Sequence, residues 1–272
     1  MKKQGISNAI LSLTAPGVQI VALDRQPQLA RQVNEYAAKL RDEYAGLGFF
    51  AALPSLFDTK ASISEIAYAL DILKADGVTL FTRYGDGNFY LGDARFRPIW
   101  HELNIRRAVV FIHPTHPVNG DRIHPYLAQS IIDYPHETTR TAVDLIITNT
   151  KRDFPDCKVI LSHAGGTLPI LFNRAANGVA LVSKGEKDAQ EFIQDAMTFY
   201  FDLALSTSSN VLDTFLKHFP HDQLLYGSDY PYAPAAHVAH FAAELDEYVM
   251  SDATSEKIKY KNALKLFPRL SC

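Results

Sequence analysis

Val159-Ile-Leu-Ser-His163-Ala-Gly-Gly166 is the stretch from which the fold can be predicted. Four apolar or small residues lead into a single histidine, and a pair of glycines follows closely behind it. This pattern predicts a buried strand that presents one polar side chain at its C-terminal end, with a tight turn after it.

Two other stretches follow the same pattern. Ala108-Val-Val-Phe-Ile-His113-Pro114 ends its apolar run on a histidine, and Leu224-Leu-Tyr-Gly-Ser-Asp229 ends its run on an aspartate. Three strand ends that carry His, His and Asp are typical of a barrel whose strand tips point into one active site.

The composition excludes several functional classes. The chain has 272 residues, is 47% hydrophobic and 21% charged, and carries a formal charge of −3 without a basic stripe, so we expect no nucleic-acid partner. No apolar run approaches the roughly 18 residues that cross a membrane, so we expect no membrane partner. Cys157 and Cys272 lie far apart, which favours a reducing compartment and predicts a cytoplasmic protein.

Strand and helix patterns alternate along the whole chain. Strands are predicted at 8–13, 47–53, 77–82, 108–112, 159–162, 198–205 and 224–226. Helices are predicted at 28–44, 62–75, 93–103, 138–152, 167–176, 188–197, 209–218 and, in two pieces, 235–266. A capping box is predicted at Ser62 and Glu65, a glycine-rich loop at 83–87, and a long loop at 113–137. Such alternation predicts parallel βαβ units in a single domain over 1–272.

The strand count leaves one place unfilled. A (β/α)8 barrel needs eight strands and the pattern provides seven, so the first strand is expected before residue 1. Residues 1–5 have the pattern of a helix end, with Gly5 as the residue that follows the helix.

Three strand-end residues are candidates for chemistry, and each has a structural alternative. His113 is either a metal ligand or a strand cap bonded to a carbonyl. His163, followed by paired glycines, has the same two interpretations, and the glycines favour function. Asp229 either caps the next helix or is a metal ligand that also shuttles a proton, and function is favoured because an unpaired buried carboxylate is costly.

Three further charged residues have weaker signals. Asp202 follows Phe199-Tyr-Phe201 in the sixth predicted strand and either supports a ligand or bonds to a neighbouring strand tip. Arg83 and Arg174 are candidates for substrate binding, because a guanidinium can clamp a carboxylate, although a solvated surface position explains either arginine as well.

Several motifs together resemble a known family. Its strand motifs are similar to Ile112-His113-Pro114, Leu161-Ser-His163-Ala-Gly-Gly166 and Tyr226-Gly-Ser-Asp229-Tyr-Pro231, and similar motifs occur at 31–36, 49–54, 75–78 and 90–93. The chain resembles the amidohydrolase superfamily over nearly its whole length. The branch is the amidohydrolase-related one, which contains the aminocarboxymuconate-semialdehyde decarboxylase and the resorcylate and 6-methylsalicylate decarboxylases.

The resemblance implies a fold, a metal and roles for individual residues. The implied fold is a (β/α)8 TIM barrel of the metal-dependent hydrolase type with one divalent metal, usually Zn²⁺ and sometimes Mn²⁺. His113 is implied as a metal ligand, Asp229 as a ligand and proton carrier, and His163 as the group that polarises the substrate. Arg174 matches an arginine that reaches across a homodimer to the substrate carboxylate.

One expected motif is missing from the sequence. The family's first strand carries His-x-His or Glu-x-His, and no such motif precedes Asn8. His113 and Asp229 alone are fewer than the three or four protein ligands of a typical site. The resemblance therefore leaves two expectations open, a bound metal or none in this chain.

The sequence supports one leading function and two alternatives. The leading one is a metal-dependent decarboxylase of a small aromatic or dienoic carboxylic acid, with that small molecule as the binding partner. The first alternative is a metal-dependent hydrolase of a lactone or amide on the same fold. The second is a non-catalytic remnant that lacks the first-strand ligands.

Overall fold

Short strands alternate with helices through residue 1 and residues 4–271, which the computed structural model describes. The chain divides into two compact units, Met1–Val159 and Ile160–Cys272. The prediction of a single domain stays a prediction.

The first unit is built on parallel strands. β1 (Ala9–Leu11) pairs with β2 (Leu47–Ala51), β2 with β3 (Gly77–Phe81), and β3 with β6 (Val109–His113), all in parallel. Every residue of β3 is buried. Continuous burial along a strand is typical of a parallel sheet that is covered on both faces.

A short antiparallel hairpin and several α-helices belong to the described part of this unit. The hairpin joins β4 (Arg83–Tyr84) to β5 (Phe89–Tyr90). The helices are α1 (Gln26–Glu43), α2 (Thr59–Ala67), α3 (Arg97–Ile105), α4 (Gln129–Ile147) and α5 (Thr150–Asp153).

Asn34, which lies in the family-like motif at 31–36, connects elements of the first unit through hydrogen bonds. Its side chain is fully buried, donates to the Ala52 carbonyl at 2.9 Å and accepts from the Ala52 amide at 2.8 Å. It also donates to Glu65 Oε1 at 2.8 Å, and Arg31 Nε donates to the other oxygen of that carboxylate at 2.9 Å. This network ties α1 to α2 and to the segment that follows β2.

The second unit continues the strand–helix alternation. β7 (Lys158–Leu161), inside which the division falls, pairs in parallel with β8 (Tyr200–Asp202), and β8 pairs in parallel with β9 (Leu224–Leu225). The helices are α6 (Leu168–Val182), α7 (Ala189–Ala196), α8 (Ser209–His218), α9 (Ala235–Glu247), α10 (Asp252–Glu256) and α11 (Asn262–Leu266). Phe201, Phe215 and Phe219 meet with ring centroids 5.0 to 5.2 Å apart and fill the space between β8 and α8.

The strands lie at the seven predicted places, but several local predictions were wrong. The predicted loop at 113–137 ends at residue 128, because α4 begins at Gln129 and runs through Pro135. The predicted loop at 83–87 is partly the hairpin strand β4. The predicted helix at 138–152 is interrupted at Asn149, whose φ of +57° ends the helical conformation before α5.

The predicted capping box was also wrong. Asp58 caps α2 by accepting from the Ala61 amide at 3.0 Å. Ser62 is buried within the helix, and its hydroxyl donates to the Ser55 carbonyl at 3.3 Å. The helix therefore has its cap four residues before the position that the sequence pattern indicated.

The predicted helix end at 1–5 includes residues 2 and 3, which lie outside the described residues, while Gly5 has the positive φ of +69° expected after a helix. None of the described helices combines the length and the hydropathy needed to cross a membrane.

Candidate active site

Three polar side chains follow the strands of the second unit. His163 follows β7, Asp202 is the last residue of β8, and Asp229 follows β9. His163 and Asp229 adopt left-handed backbone conformations, with φ of 51° and 56°. A non-glycine residue with positive φ is uncommon, and here each one turns the chain sharply after its strand.

The ring of His163 is oriented by a backbone carbonyl. Its Nδ1 lies 3.2 Å from the oxygen of Ala204. A carbonyl only accepts, so Nδ1 carries the proton and Nε2 is left to accept or release a second one. A single contact thus fixes both the orientation and the tautomer of this candidate catalytic histidine.

The carboxyl group of Asp202 is fixed by close contacts. Its Oδ1 accepts from the Ala204 amide at 2.6 Å. A Cβ placed on Gly227 would lie 2.3 Å from that same oxygen, so only glycine leaves room for the carboxyl group here. Burial raises the pKa of Asp202, His163 lowers it, and the negative charge of Asp229 raises it further.

Asp229 has a similar electrostatic setting. Burial raises the pKa of its carboxyl group, and His163 opposes that shift. The backbone carbonyl of Asp229 accepts from the Ala233 amide at 2.7 Å, which holds the turn after β9 in place. Because His163 acts on both carboxyl groups, the three side chains form one electrostatic cluster.

This cluster has the elements of general acid–base chemistry. Two carboxyl groups with raised pKa values retain a proton more readily than exposed aspartates do, and an imidazole lies close enough to stabilise their charged forms. An arrangement of this kind can deliver a proton to a bound molecule and stabilise the charge that develops on it.

His113 lies at the end of β6 in the first unit. Its Nδ1 is 2.7 Å from the Pro114 carbonyl oxygen, and its Nε2 is 3.2 Å from Thr14 Oγ1. The rings of Phe81 and Phe111 lie edge-on to the imidazole, with centroids at 6.0 and 6.3 Å. The histidine therefore ends its strand as predicted, and its role as a metal ligand stays a prediction.

The two candidate arginines are placed differently. Arg83 donates from Nε to the His116 carbonyl at 2.7 Å, and from Nη1 to the carbonyls of Gly85 at 2.7 Å and Gly87 at 3.3 Å. Arg174 is exposed on α6. Substrate binding stays a prediction for both, although two nitrogens of Arg83 are already engaged by backbone oxygens.

The described residues do not fit a complete metal centre. Sites of this class use three or four protein ligands. No group of three or more His, Cys, Asp or Glu side chains that could hold a metal ion is found in residue 1 and residues 4–271. We therefore derive no catalytic step through a metal.

Sequence reasoning missed the groups that orient the candidate residues. The Ala204 carbonyl that orients His163 belongs to the backbone, so no residue type indicates it. Thr14 lies in a segment with no motif, and its hydroxyl reaches a histidine 99 residues away. The only sequence signal for the close approach of Gly227 to Asp202 was the presence of a glycine two residues before Asp229.

The chain is similar to proteins of one family. The family model named Amidohydrolase matches residues 6–269. A 6-methylsalicylic acid decarboxylase of Penicillium expansum is 47% identical over 272 residues, and the match covers 99% of this chain and 84% of that protein.

Two solved structures show the same fold. A 2,6-dihydroxybenzoate decarboxylase in complex with 2,6-dihydroxybenzoate matches with a TM-score of 0.86 and 25% identity over 98% of this chain and 86% of that one. A dihydroxybenzoic acid decarboxylase of Polaromonas sp. with bound manganese and the inhibitor 2-nitroresorcinol matches with a TM-score of 0.89 and 24% identity over 100% of this chain and 85% of that one. These matches confirm the predicted fold class, a TIM barrel of the metal-dependent hydrolase type.

Proposed function

The chain belongs to the amidohydrolase family, and we propose that it is a decarboxylase of a small aromatic carboxylic acid. The first substrate to test is 6-methylsalicylic acid, because the relative at 47% identity carries that activity in its name. The observation that carries the proposal is the cluster of His163, Asp202 and Asp229, in which burial raises the pKa values of both carboxyl groups.

Decarboxylation needs one proton at one carbon. The bond between the ring carbon and the carboxyl carbon breaks, the electron pair stays on the ring, carbon dioxide leaves, and the ring carbon takes a proton. Asp229 supplies this proton and regains one from solvent, since its raised pKa favours the protonated form. His163 stabilises the negative charge that develops on the ring before the proton arrives.

Asp202 has a supporting task in this proposal. Its Oδ1 already accepts from the Ala204 amide, so it is less free than Asp229 to turn toward a substrate. The negative charge of Asp229 raises the pKa of Asp202, because two close carboxylates resist simultaneous ionisation. Asp202 thereby helps to keep one proton within the cluster.

A substrate panel tests the reaction class. The 272-residue protein is incubated with 6-methylsalicylic acid, 2,6-dihydroxybenzoic acid and aromatic lactones and amides, and both carbon dioxide and newly formed acid are measured. Carbon dioxide together with 3-methylphenol from 6-methylsalicylic acid supports the proposal. Acid released from a lactone or amide without carbon dioxide favours the hydrolase, and no turnover of any compound favours the non-catalytic protein.

Metal use is a separate proposal. His113 and Asp229 are the predicted ligands, and Zn²⁺ or Mn²⁺ the predicted ion. The structure of the Polaromonas relative contains manganese, although that likeness supports only the fold for this chain. Elemental mass spectrometry after dialysis against metal-free buffer tests the prediction: about one ion per chain supports it, and no metal contradicts it.

We also propose that the protein forms a homodimer through α6. Three apolar side chains of this helix are largely exposed: Ile170 at 69%, Leu181 at 84% and Val182 at 71%. Ile170 and Leu181 are three helical turns apart and therefore lie on the same side of the helix, where exposed apolar side chains can meet a partner surface. Arg174 lies on the same helix. The cytoplasmic location expected from the two distant cysteines also stays a prediction.

A further inference from the structure

The residues after β3 and β6 continue the pairing of these two strands beyond the end of the sheet. The Thr82 amide donates to the His113 carbonyl at 3.2 Å, and the Thr115 amide donates to the Thr82 hydroxyl at 3.2 Å. Arg83 then donates from Nε to the His116 carbonyl at 2.7 Å. These three bonds hold the backbone after β6 against the two residues that follow β3.

Arg83 also joins this backbone to the hairpin of β4 and β5. Its Nη1 donates to the carbonyls of Gly85 at 2.7 Å and Gly87 at 3.3 Å, which lie in the turn of the hairpin. Two nitrogens of one planar guanidinium therefore bind the hairpin turn and the chain after β6 together. A lysine carries a single ammonium group on a flexible stem, so it cannot occupy both places at once.

His116 is held from its other side by α4. Its Nδ1 lies 2.6 Å from Oε1 of Gln129, the first residue of α4, and its Nε2 lies 3.4 Å from the Tyr134 hydroxyl. Gln129 Nε2 also donates to the Gly120 carbonyl at 2.8 Å. The two ends of the segment 116–129 thus meet, as the ends of an Ω-loop do.

The tip of this loop, residues 117–127, has little support of its own. Every residue from 118 to 126 is exposed. Within the described part of the chain, the hydrogen bonds of the tip run inside it, as from the Leu127 amide to the His124 carbonyl at 2.9 Å, or to Gln129. The position of the tip therefore depends on the base of the loop.

We propose that Arg83 is a positioning residue, which anchors the base of the loop after His113, rather than a residue that binds substrate. A bidentate clamp on a carboxylate uses two guanidinium nitrogens, and two of the three in Arg83 are directed at backbone carbonyls. The inference does not rest on the proposed decarboxylase activity. A hydrolase or a non-catalytic protein with this structure would need the same anchor.

Limited digestion with trypsin tests the anchor. Trypsin cuts after arginine, and the bond between Arg122 and Ile123 lies in the exposed tip. Mass spectrometry follows this cut through the fragments 1–122 and 123–272. Arg83→Met removes both donors and Arg83→Lys keeps only the charge. We expect both variants to be cut there roughly ten-fold faster than wild type, as the loss of a hydrogen bond from a charged group implies.

Arg97→Met is the matched control. Arg97 lies in the same unit, and its side chain pairs with Asp153 at 2.7 Å instead of with the loop. It precedes Pro98, so trypsin does not cut after it and the substitution changes no cleavage site. Cleavage at Arg122 should proceed at the wild-type rate in this variant.

Cleavage resolved by site separates the anchor from other roles of Arg83. An unchanged rate at Arg122 in folded Arg83→Met would overturn the inference, whether or not the KM for 6-methylsalicylic acid rises. A lysine variant as resistant as wild type would do the same, because charge alone would then suffice. Faster cleavage along the whole chain would also overturn it, since that indicates lost global stability. Arg83→Lys decides the question if Arg83→Met does not fold.

Discussion

At the scale of single residues, Gly227 sets the position of the Asp202 carboxyl group. A Cβ at this position would lie 2.3 Å from Oδ1 and 2.7 Å from Cγ of Asp202. Gly227→Ala should therefore displace Asp202 and lower the free energy of unfolding by about 1–3 kcal/mol, as other overpacked sites do. Chemical denaturation measures the effect.

Gly178 provides the matched control for this substitution. It lies on α6, and a Cβ placed on it would meet no neighbouring atom within 4 Å. Gly178→Ala should therefore raise the free energy of unfolding by roughly 0.5–1 kcal/mol through helix propensity. Equal changes in the free energy of unfolding for Gly227→Ala and Gly178→Ala would contradict a close contact between Gly227 and Asp202.

Glu137 makes stability depend on pH in a direction that can be worked out. It is only 2% exposed, and burial raises its pKa above the ordinary value, while the Tyr90 hydroxyl, at 3.0 Å, lowers it. The folded chain therefore holds this proton to a higher pH than the unfolded chain does. The free energy of unfolding should fall as pH rises from the ordinary glutamate pKa to the raised one.

Replacing this carboxyl group should remove that part of the pH dependence. Glu137→Gln keeps an acceptor for Tyr90 but cannot ionise. The difference in free energy of unfolding between Glu137→Gln and wild type should therefore shift in favour of the glutamine variant as the pH rises from low to neutral. Denaturant unfolding across a pH series provides the test, with the exposed Glu247→Gln as the control. A constant difference between Glu137→Gln and wild type at all pH values would contradict the expected shift.

The sequence predicted positions at this scale better than it predicted contacts. His113, His163 and Asp229 were expected at strand ends and are found there, because an apolar run that stops at one polar residue leaves few other placements. Their partners were not predictable. The Ala204 carbonyl is backbone, and Thr14 meets His113 only after the long stretch of chain between them has folded.

At the scale of elements, Asp58 determines where α2 begins. Its side chain accepts from the Ala61 amide at 3.0 Å and caps the helix. Asp58→Ala should lower the free energy of unfolding by about 1 kcal/mol, whereas Asp58→Ser should retain most of the stability because serine also caps. If Asp58→Ala and Asp58→Ser lower the free energy of unfolding equally in urea denaturation, the cap does not contribute to stability.

The first half of α4 shows why parts of the fold could not be predicted from the sequence. Pro135 lies within it, and proline inside a helix removes a backbone hydrogen bond at a cost of about 3 kcal/mol. The helix persists because contacts from outside it compensate: the Tyr90 hydroxyl donates to Glu137 at 3.0 Å, and the Gly92 amide donates to Asp144 at 2.6 Å. Such tertiary contacts cannot be read from local pattern, whereas the strands could be predicted from their continuous apolar runs.

At the scale of the whole molecule, the exposed face of α6 predicts self-association. Leu181, 84% exposed, should be buried in a dimer, so Leu181→Asp should shift the protein toward monomer in sedimentation velocity runs. Val249→Asp is the control, because Val249 is 94% exposed and lies outside α6. A wild type that is monomeric at micromolar concentration would contradict the dimer, and so would an unchanged dimer in Leu181→Asp.

We propose that Asp229 delivers the proton that replaces carbon dioxide on an aromatic ring. The most direct measurement follows carbon dioxide release from 6-methylsalicylic acid in deuterated water, for wild type and Asp229→Asn side by side. We predict that wild type releases carbon dioxide and forms 3-methylphenol with one deuterium on the vacated ring carbon, and that Asp229→Asn loses at least about a hundred-fold in rate, as is usual when a general acid is removed. Undiminished carbon dioxide release by folded Asp229→Asn would contradict this role of Asp229.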